Sequence, residues 1–185
     1  QLAAEAGAEA AEVYQSRSLS RPVFFEANRL KQLESTQTEG TALRLWRNGC
    51  PGLAVAYGQV EPSALVERSL ALTQINEPEL IELNSNSKPT YPDLGRAVPV
   101  EQLVEWGKEA IALIRNDYPE VIVSAEWDSE VETTRLVNSQ GLDCNHTDTT
   151  LSCFVSAEWV RGEDLLSVSD GQTQRDRLHP EKIPR

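Results

Sequence analysis

The chain has 185 residues, of which 39% are hydrophobic, so one ordinary domain or two very small ones can bury a core and wholesale disorder is excluded. Twenty-nine acidic against seventeen basic residues leave a formal charge of -12, a field that repels nucleic acid and argues against a phosphate-backbone binder. No apolar run approaches the roughly 18 residues of a membrane span, and three irregularly spaced cysteines with no secretory leader point to a reducing, cytoplasmic setting.

Residues 2–11 (LAAEAGAEAA) are nearly all strong helix formers and predict the end of a helix; with Gln1 first and no Met anywhere, the chain is expected to be a segment of a longer protein. From residue 12 short β-type runs follow, over 12–18, 21–27, 30–36, 41–47 and 53–57, separated by Asn, Gly and Pro. Asn48-Gly49 is the strongest hairpin signal, because both central positions of a tight turn favour residues that tolerate positive φ. The alternation is expected to put Leu43 and Leu45 on one buried face with Leu53, Val55 and Tyr57 across the turn, and Arg44 on the other face. Glu61-Pro62 opens a helix carrying Leu65, Val66, Leu70, Leu72 and Ile75.

Residues 76–99 hold Pro78, Pro89, Pro92 and Pro99 around a polar tract, and read as a linker between sub-halves 1–75 and 100–170 of a single domain spanning 1–185. The second half begins with a helix, Val100–Asp117, on which Leu103, Gly107, Ala110, Ile111 and Ile114 share a face, with Gly107 placed for close approach of a neighbour. Val121, Val123, Ala125 and Trp127 then alternate with polar residues, 131–138 is expected to form a partner strand, 151–159 alternates again, and Arg161-Gly162 turns into a last strand near 164–169. Runs of antiparallel strands beside a few helices give an α+β fold with helices on one face of the sheet. Both halves read as helix, Glu-Val and four strands, a pattern that suggests an internal duplication.

Chemistry is sparse. Cys144 and His146 would point the same way on an extended segment and, with Cys153, suggest a zinc corner, but the spacing of structural zinc sites and a fourth ligand are missing, so a solvent-facing turn or strand end is the reading adopted. His179, in Arg177-Leu178-His179-Pro180, reads as the start of a connection. No nucleophile elbow or phosphate-binding glycine loop occurs, and Cys50 and Cys153 read as small buried apolar residues. Asp128, Glu130 and Glu132 alternate onto one strand face, the ordinary pattern of a solvated surface. Asn138-Ser139-Gln140-Gly141 has the composition of a structural turn. Residues 61–132 hold fifteen acids and five bases, an acidic belt able to steer a basic partner. Neither a catalytic nor a cofactor-binding nor a metal-binding residue is assigned.

Several segments in order resemble the N-terminal domain of the TldD/PmbA family, the "modulator of DNA gyrase" proteins regarded as peptidases. They are Gly7-Ala8-Glu9 to Tyr14, residues 28–40 leading into Thr41-Ala42-Leu43-Arg44-Leu45-Trp46, Pro51-Gly52-Leu53-Ala54 with the following helix, Leu136-Val137-Asn138-Ser139-Gln140-Gly141, and Leu151-Ser152-Cys153 running to Ala157-Glu158. The resemblance implies a cytoplasmic pair of a TldD-type and a PmbA-type subunit that trims or degrades small unstructured peptides. It implies zinc bound by a His-Glu-x-x-x-His helix with the Glu as general base; this chain has no such motif, so zinc is expected only in a C-terminal domain beyond Arg185, and no ligand is carried over to any residue here. The expected role is therefore that of a non-catalytic domain helping to form a peptide-binding cavity and subunit contacts. The alternative is the metal-free PmbA-type partner, a scaffold, towards which the NSQG and LSC segments lean.

Overall fold

A computed structural model describes residues 1–85 and 95–179. Its elements are α1 (Leu2–Glu5), β1 (Ala10–Ser20), β2 (Val23–Glu26), β3 (Arg29–Leu33), β4 (Thr36–Arg47), β5 (Cys50–Tyr57), α2 (Pro62–Leu72), α3 (Val100–Asp117), β6 (Ile122–Asn138), β7 (Asp143–Arg161) and β8 (Asp164–Gln174). The eight strands form one antiparallel sheet in the order β3-β2-β6-β1-β4-β5, with β7 pairing β6 and β8 pairing β7, an α+β architecture. Of the linker over 76–99, residues 86–94 lie outside those described. Two compact units are interleaved in sequence: Gln1–Ser18, Gln37–Pro92 and Glu132–Thr147 make the first, and Leu19–Thr36, Asp93–Val131 and Asp148–Arg185 the second.

In the first unit the helix expected over 2–11 stops after Glu5. Gly7 turns to φ +83°, Gly7 N–H donates to Ala4 O at 3.0 Å and Ala8 N–H to Ala3 O at 2.9 Å, the paired bonds of a Schellman ending. Glu9 N–H then donates to Trp46 O at 2.8 Å, so sheet pairing overrides the helix propensity of the alanines. The β4–β5 hairpin turns on Asn48 and Gly49 at φ 53° and 74°, as the dipeptide predicts.

That two-residue turn fixes a register the alternation argument got wrong. Leu45 lies opposite Gly52 and Leu43 opposite Ala54, whereas Leu53 opposes Arg44 and Val55 opposes Ala42. Leu43, Leu45 and Ala54 are therefore buried on one face, and Leu53, Val55 and Tyr57 stand on the other, 51%, 49% and 88% exposed. Small residues are needed under α2: a Cβ on Gly52 would lie 1.9 Å from Ser69 O, and Ser69 Oγ donates to Leu43 O at 3.1 Å. Leu65 and Val66 complete this core with Ala3, and burying each large aliphatic stabilises by about 2 kcal/mol. On the opposite face Trp46 is also buried, with the Arg44 guanidinium 4.6 Å from its ring centroid and its Nε1 donating to Glu79 at 2.8 Å.

In the second unit α3 packs its Leu103, Gly107, Ala110 and Ile111 stripe onto Val23, Phe25, Val123, Ala125, Trp127, Leu151, Cys153 and Val155. Gly107 admits the Phe25 ring, as the sequence suggested: a Cβ there would lie 2.1 Å from Phe25 Cε2. Asn28, in the β2–β3 turn at φ 68°, clamps Val123 through its backbone N–H (2.9 Å to Val123 O) and its Oδ1 (2.8 Å from Val123 N). The expected break between 121–128 and a partner over 131–138 does not exist. No Gly, Pro or Asn interrupts that stretch, and β6 runs unbroken from Ile122 to Asn138. Its partner is β7, reached through the Asn138–Gly141 turn, so residues 143–148 form the first part of a strand, the strand-end alternative of the two expected. Gly162, at φ 64°, turns β7 into β8 with Arg161 opposite Asp164.

Candidate functional site

The first unit holds a cleft of about 830 Å³ where β1, β4, β6 and β7 meet the segment after β5. Arg17, Glu39, Glu61 and Arg135 give it two cations and two carboxylates, with Ser16, Thr41, Thr133, Thr134 and Asn145 between them. Arg135 donates from Nε and Nη2 to the two oxygens of Asp143, both at 3.0 Å, and this bond and charge hold the guanidinium above its ordinary pKa. With its amide oxygen turned to the guanidinium, Gln37 accepts from Arg17 Nη2 at 2.6 Å and Nε at 2.9 Å. Ser16 Oγ donates to Glu132 at 2.6 Å. A serine held by a carboxylate with no imidazole between them is a structural pair, since nucleophilic activation needs a base that is itself oriented. The cleft can hold polar main chain and mixed charge; it offers no activated nucleophile.

The sequence candidates are dispersed. Cys144 and His146 sit half-buried on β7 in the first unit, while Cys153 lies in the core of the second, 5% exposed, where burial pushes its thiol pKa up. Among the described residues no three His, Cys, Asp or Glu side chains are grouped to hold a metal ion. Asp128 is no free surface acid: its oxygens accept from Ser20 Oγ and Arg21 N, both at 2.8 Å. Asn138 organises its turn, its Oδ1 accepting from Gln140 N at 2.9 Å and Leu142 N at 3.1 Å while Nδ2 donates to Asn84 O at 2.8 Å. His179 backbone and the Gln172 side chain exchange two bonds of 3.1 Å, and Leu178 beside it is fully buried.

The β5 edge is a feature that pattern reading missed. Among the described residues β5 ends the strand order and pairs only with β4. In an antiparallel pair, residues alternately point their N–H and C=O at the partner and away from it. Gly58 N–H donates inward to Glu39 O at 2.9 Å, and Pro51 O accepts outward from Asn76 Nδ2 at 2.8 Å. Leu53, Val55 and Tyr57 therefore share the outward parity of Pro51, and these are the residues whose apolar side chains are exposed. The signal available in the sequence was the turn-imposed register, which assigns the odd-numbered residues of β5 to the outer edge.

The described residues thus form an α+β fold around an eight-stranded antiparallel sheet. The chain belongs to the PmbA/TldA metallopeptidase family: the model of its domain 1 matches residues 11–73, and that of its central domain matches residues 93–183. No curated protein matches the chain. TldE from Thermococcus kodakarensis shares the fold with a TM-score of 0.78 at 19% identity, over 97% of this chain and 43% of that one. A protein from Thermotoga maritima, provisionally described as a modulator of a DNA gyrase, has a TM-score of 0.75 at 17% identity over 94% of this chain and 42% of its own. A similarly described protein from Bacteroides thetaiotaomicron has a TM-score of 0.76 at 16% identity over 95% and 43%. The chain thus spans less than half the length of these structures.

Proposed function

We propose that this chain is the N-terminal, non-catalytic part of a cytoplasmic TldD/PmbA-type peptidase system, where it lines the cavity that holds small unstructured peptides and contacts a TldD/PmbA-type partner subunit. The observation that carries this reading is the ordered match to the family's domain 1 and central domain over 11–73 and 93–183. The mixed-charge cleft of the first unit supports it, because a site for varied peptides needs main-chain partners and few side-chain demands. No helix among the described residues is long and apolar enough to cross a membrane. Zinc does not fit the described side chains; the reading assigns it to a further, C-terminal domain, and no hydrolytic step is derived from this chain.

The test is peptide turnover by the full-length protein with its partner subunit. Turnover that requires both subunits and is lost on chelation is the expected result, with none from residues 1–185 alone. Zinc-dependent cleavage by residues 1–185 alone overturns the reading. The metal-free PmbA-type scaffold is the alternative, supported by the Asn138-Ser139-Gln140-Gly141 and Leu151-Ser152-Cys153 segments; a His-Glu-x-x-x-His helix in the full-length protein decides against it.

A further inference from the structure

We propose that the β5 edge is a docking strand for an extended segment that is apolar at alternate positions and basic at both ends. This deepens the peptide-holding reading above and rests on it for the identity of the ligand, but its geometry stands alone. Leu53, Val55 and Tyr57 each turn N–H and C=O away from β4 and carry an exposed apolar side chain. Folded proteins normally guard such an edge with charge, proline or a bulge. Here the guard ends at Pro51: residues 50–60 contain no charged side chain. An incoming strand opposite 53–57 gains main-chain bonds and lays alternate side chains against Leu53, Val55 and Tyr57.

Charge decides the occupant. Glu39 borders the Tyr57 end in the same concavity, with Glu61 in the adjoining cleft, and Glu77 and Glu79 follow Asn76 at the Pro51 end. Glu39, Glu61 and Glu77 form no ion pair among the described residues; Arg44 is paired to Glu12 at 3.3 Å, while Arg17, beside Glu39, and Arg47, opposite Cys50, keep their charge. Two carboxylates against one cation at each end leave the ends of the docking strand negative on balance and its centre apolar, which favours Lys or Arg at the ends of the ligand. Three outward residues bury far less than the roughly 1,200 Å² of a stable dimer interface, so a short extended segment suits this edge better than a second copy of the chain.

The probe is a fluorescent Lys-Val-Thr-Val-Thr-Val-Lys peptide titrated into the full chain and read by anisotropy. Saturable binding is expected, with a loss of about tenfold or more in two cases: N-methylation of the peptide amides that face β5, and Val55→Pro, which deletes an outward N–H and leaves the β4 ladder intact. Peptide N-methylated on the opposite register should bind as the parent does, which keeps the test decisive if the proline variant fails to fold. Glu in place of the terminal Lys should abolish binding. Undiminished binding of the edge-blocked peptide, equal binding of the acidic peptide, or no binding of the parent peptide overturns the proposal. So does self-association of the chain that Val55→Pro removes, which would assign the edge to a second copy. Loss of binding here with intact turnover by the full-length pair sinks the docking strand alone; binding here without turnover sinks the peptidase reading alone.

Discussion

The Glu9 carboxylate accepts the backbone N–H of Gly49 at 3.0 Å, and its second oxygen accepts that of Asn48 at 3.0 Å. Two amides at the tip of a positive-φ turn point the same way because of that turn, so they form a small anion cradle, and a residue forty positions away fills it. The bond fixes the β4–β5 hairpin to the start of β1, and with it the register that opens the β5 edge. Glu9→Ala should destabilise the protein by about 1–2 kcal/mol, since hydrogen bonds to a charged group are worth roughly 1.5–3 kcal/mol and this one is exposed. Glu9→Gln, which keeps one acceptor, should cost about half. Urea unfolding followed by tryptophan fluorescence measures both; an unchanged midpoint for Glu9→Ala would remove the carboxylate from the account.

Gly52→Ala tests the contact that sequence reasoning did not see. The new Cβ would meet the Ser69 backbone carbonyl at 1.9 Å, and backbone cannot step aside as a side-chain tip can. Helix α2 must lift from the sheet, with a loss of about 3 kcal/mol or more. Ser69→Ala should cost about 1 kcal/mol through the bond to Leu43 O alone. Circular dichroism melts of the two variants give the comparison, and a Gly52→Ala protein as stable as the parent would mean that α2 does not pack on β5 in this way.

The same residue shows what could be read from sequence. The Asn48-Gly49 turn, α2, α3 and the α+β class followed from local rules of turn chemistry and periodicity. The faces of β5 did not, because Leu53, Val55 and Tyr57 look like a core stripe by hydropathy, while the buried stripe is made of Gly52 and Ala54, chosen for the proximity of a helix that sequence alone does not place. Helix propensity likewise failed at Ala8 to Ala11, where a Schellman ending at Gly7 and the Glu9 to Trp46 bond decide the conformation. The cleft between Arg17 and Arg135 was invisible for the same reason: its residues come from strands brought together by non-local pairing.

Gly107→Ala sets helix propensity against packing. Alanine in a helix interior gains about 1 kcal/mol over glycine, but the Phe25 ring lies 2.1 Å from the new Cβ and is itself only 3% exposed, with no room to retreat. Overpacking costs about 1–3 kcal/mol, and a clash this short against a ring that cannot retreat belongs in the upper part of that range. The net effect should be destabilising by about 1–2 kcal/mol, and Phe25→Leu in the Gly107→Ala background should recover part of it. A double-mutant cycle of thermal midpoints reads the coupling; additive effects would show that helix and ring do not touch.

Cys153 supplies the pH dependence. Burial raises its thiol above the ordinary 9.0; the Gln172 backbone bond opposes that rise, and Asp170 adds to it. As pH climbs, the unfolded chain surrenders this proton first, so the stabilisation is complete below pH 9 and is lost as pH rises through the higher folded value. The difference in unfolding free energy between parent and Cys153→Ala, followed from pH 7 to 10.5, should therefore be flat to about pH 9 and then fall against the parent. Alkylation gives a second reading. With Cys144 and Cys50 only half-buried, mass spectrometry should find Cys153 modified at least about tenfold more slowly than either at pH 8, because the thiolate is the reactive form and access is closed. Equal rates at all three thiols in the native protein, or a stability difference that does not depend on pH, would place Cys153 in solvent rather than in the core between α3 and the sheet.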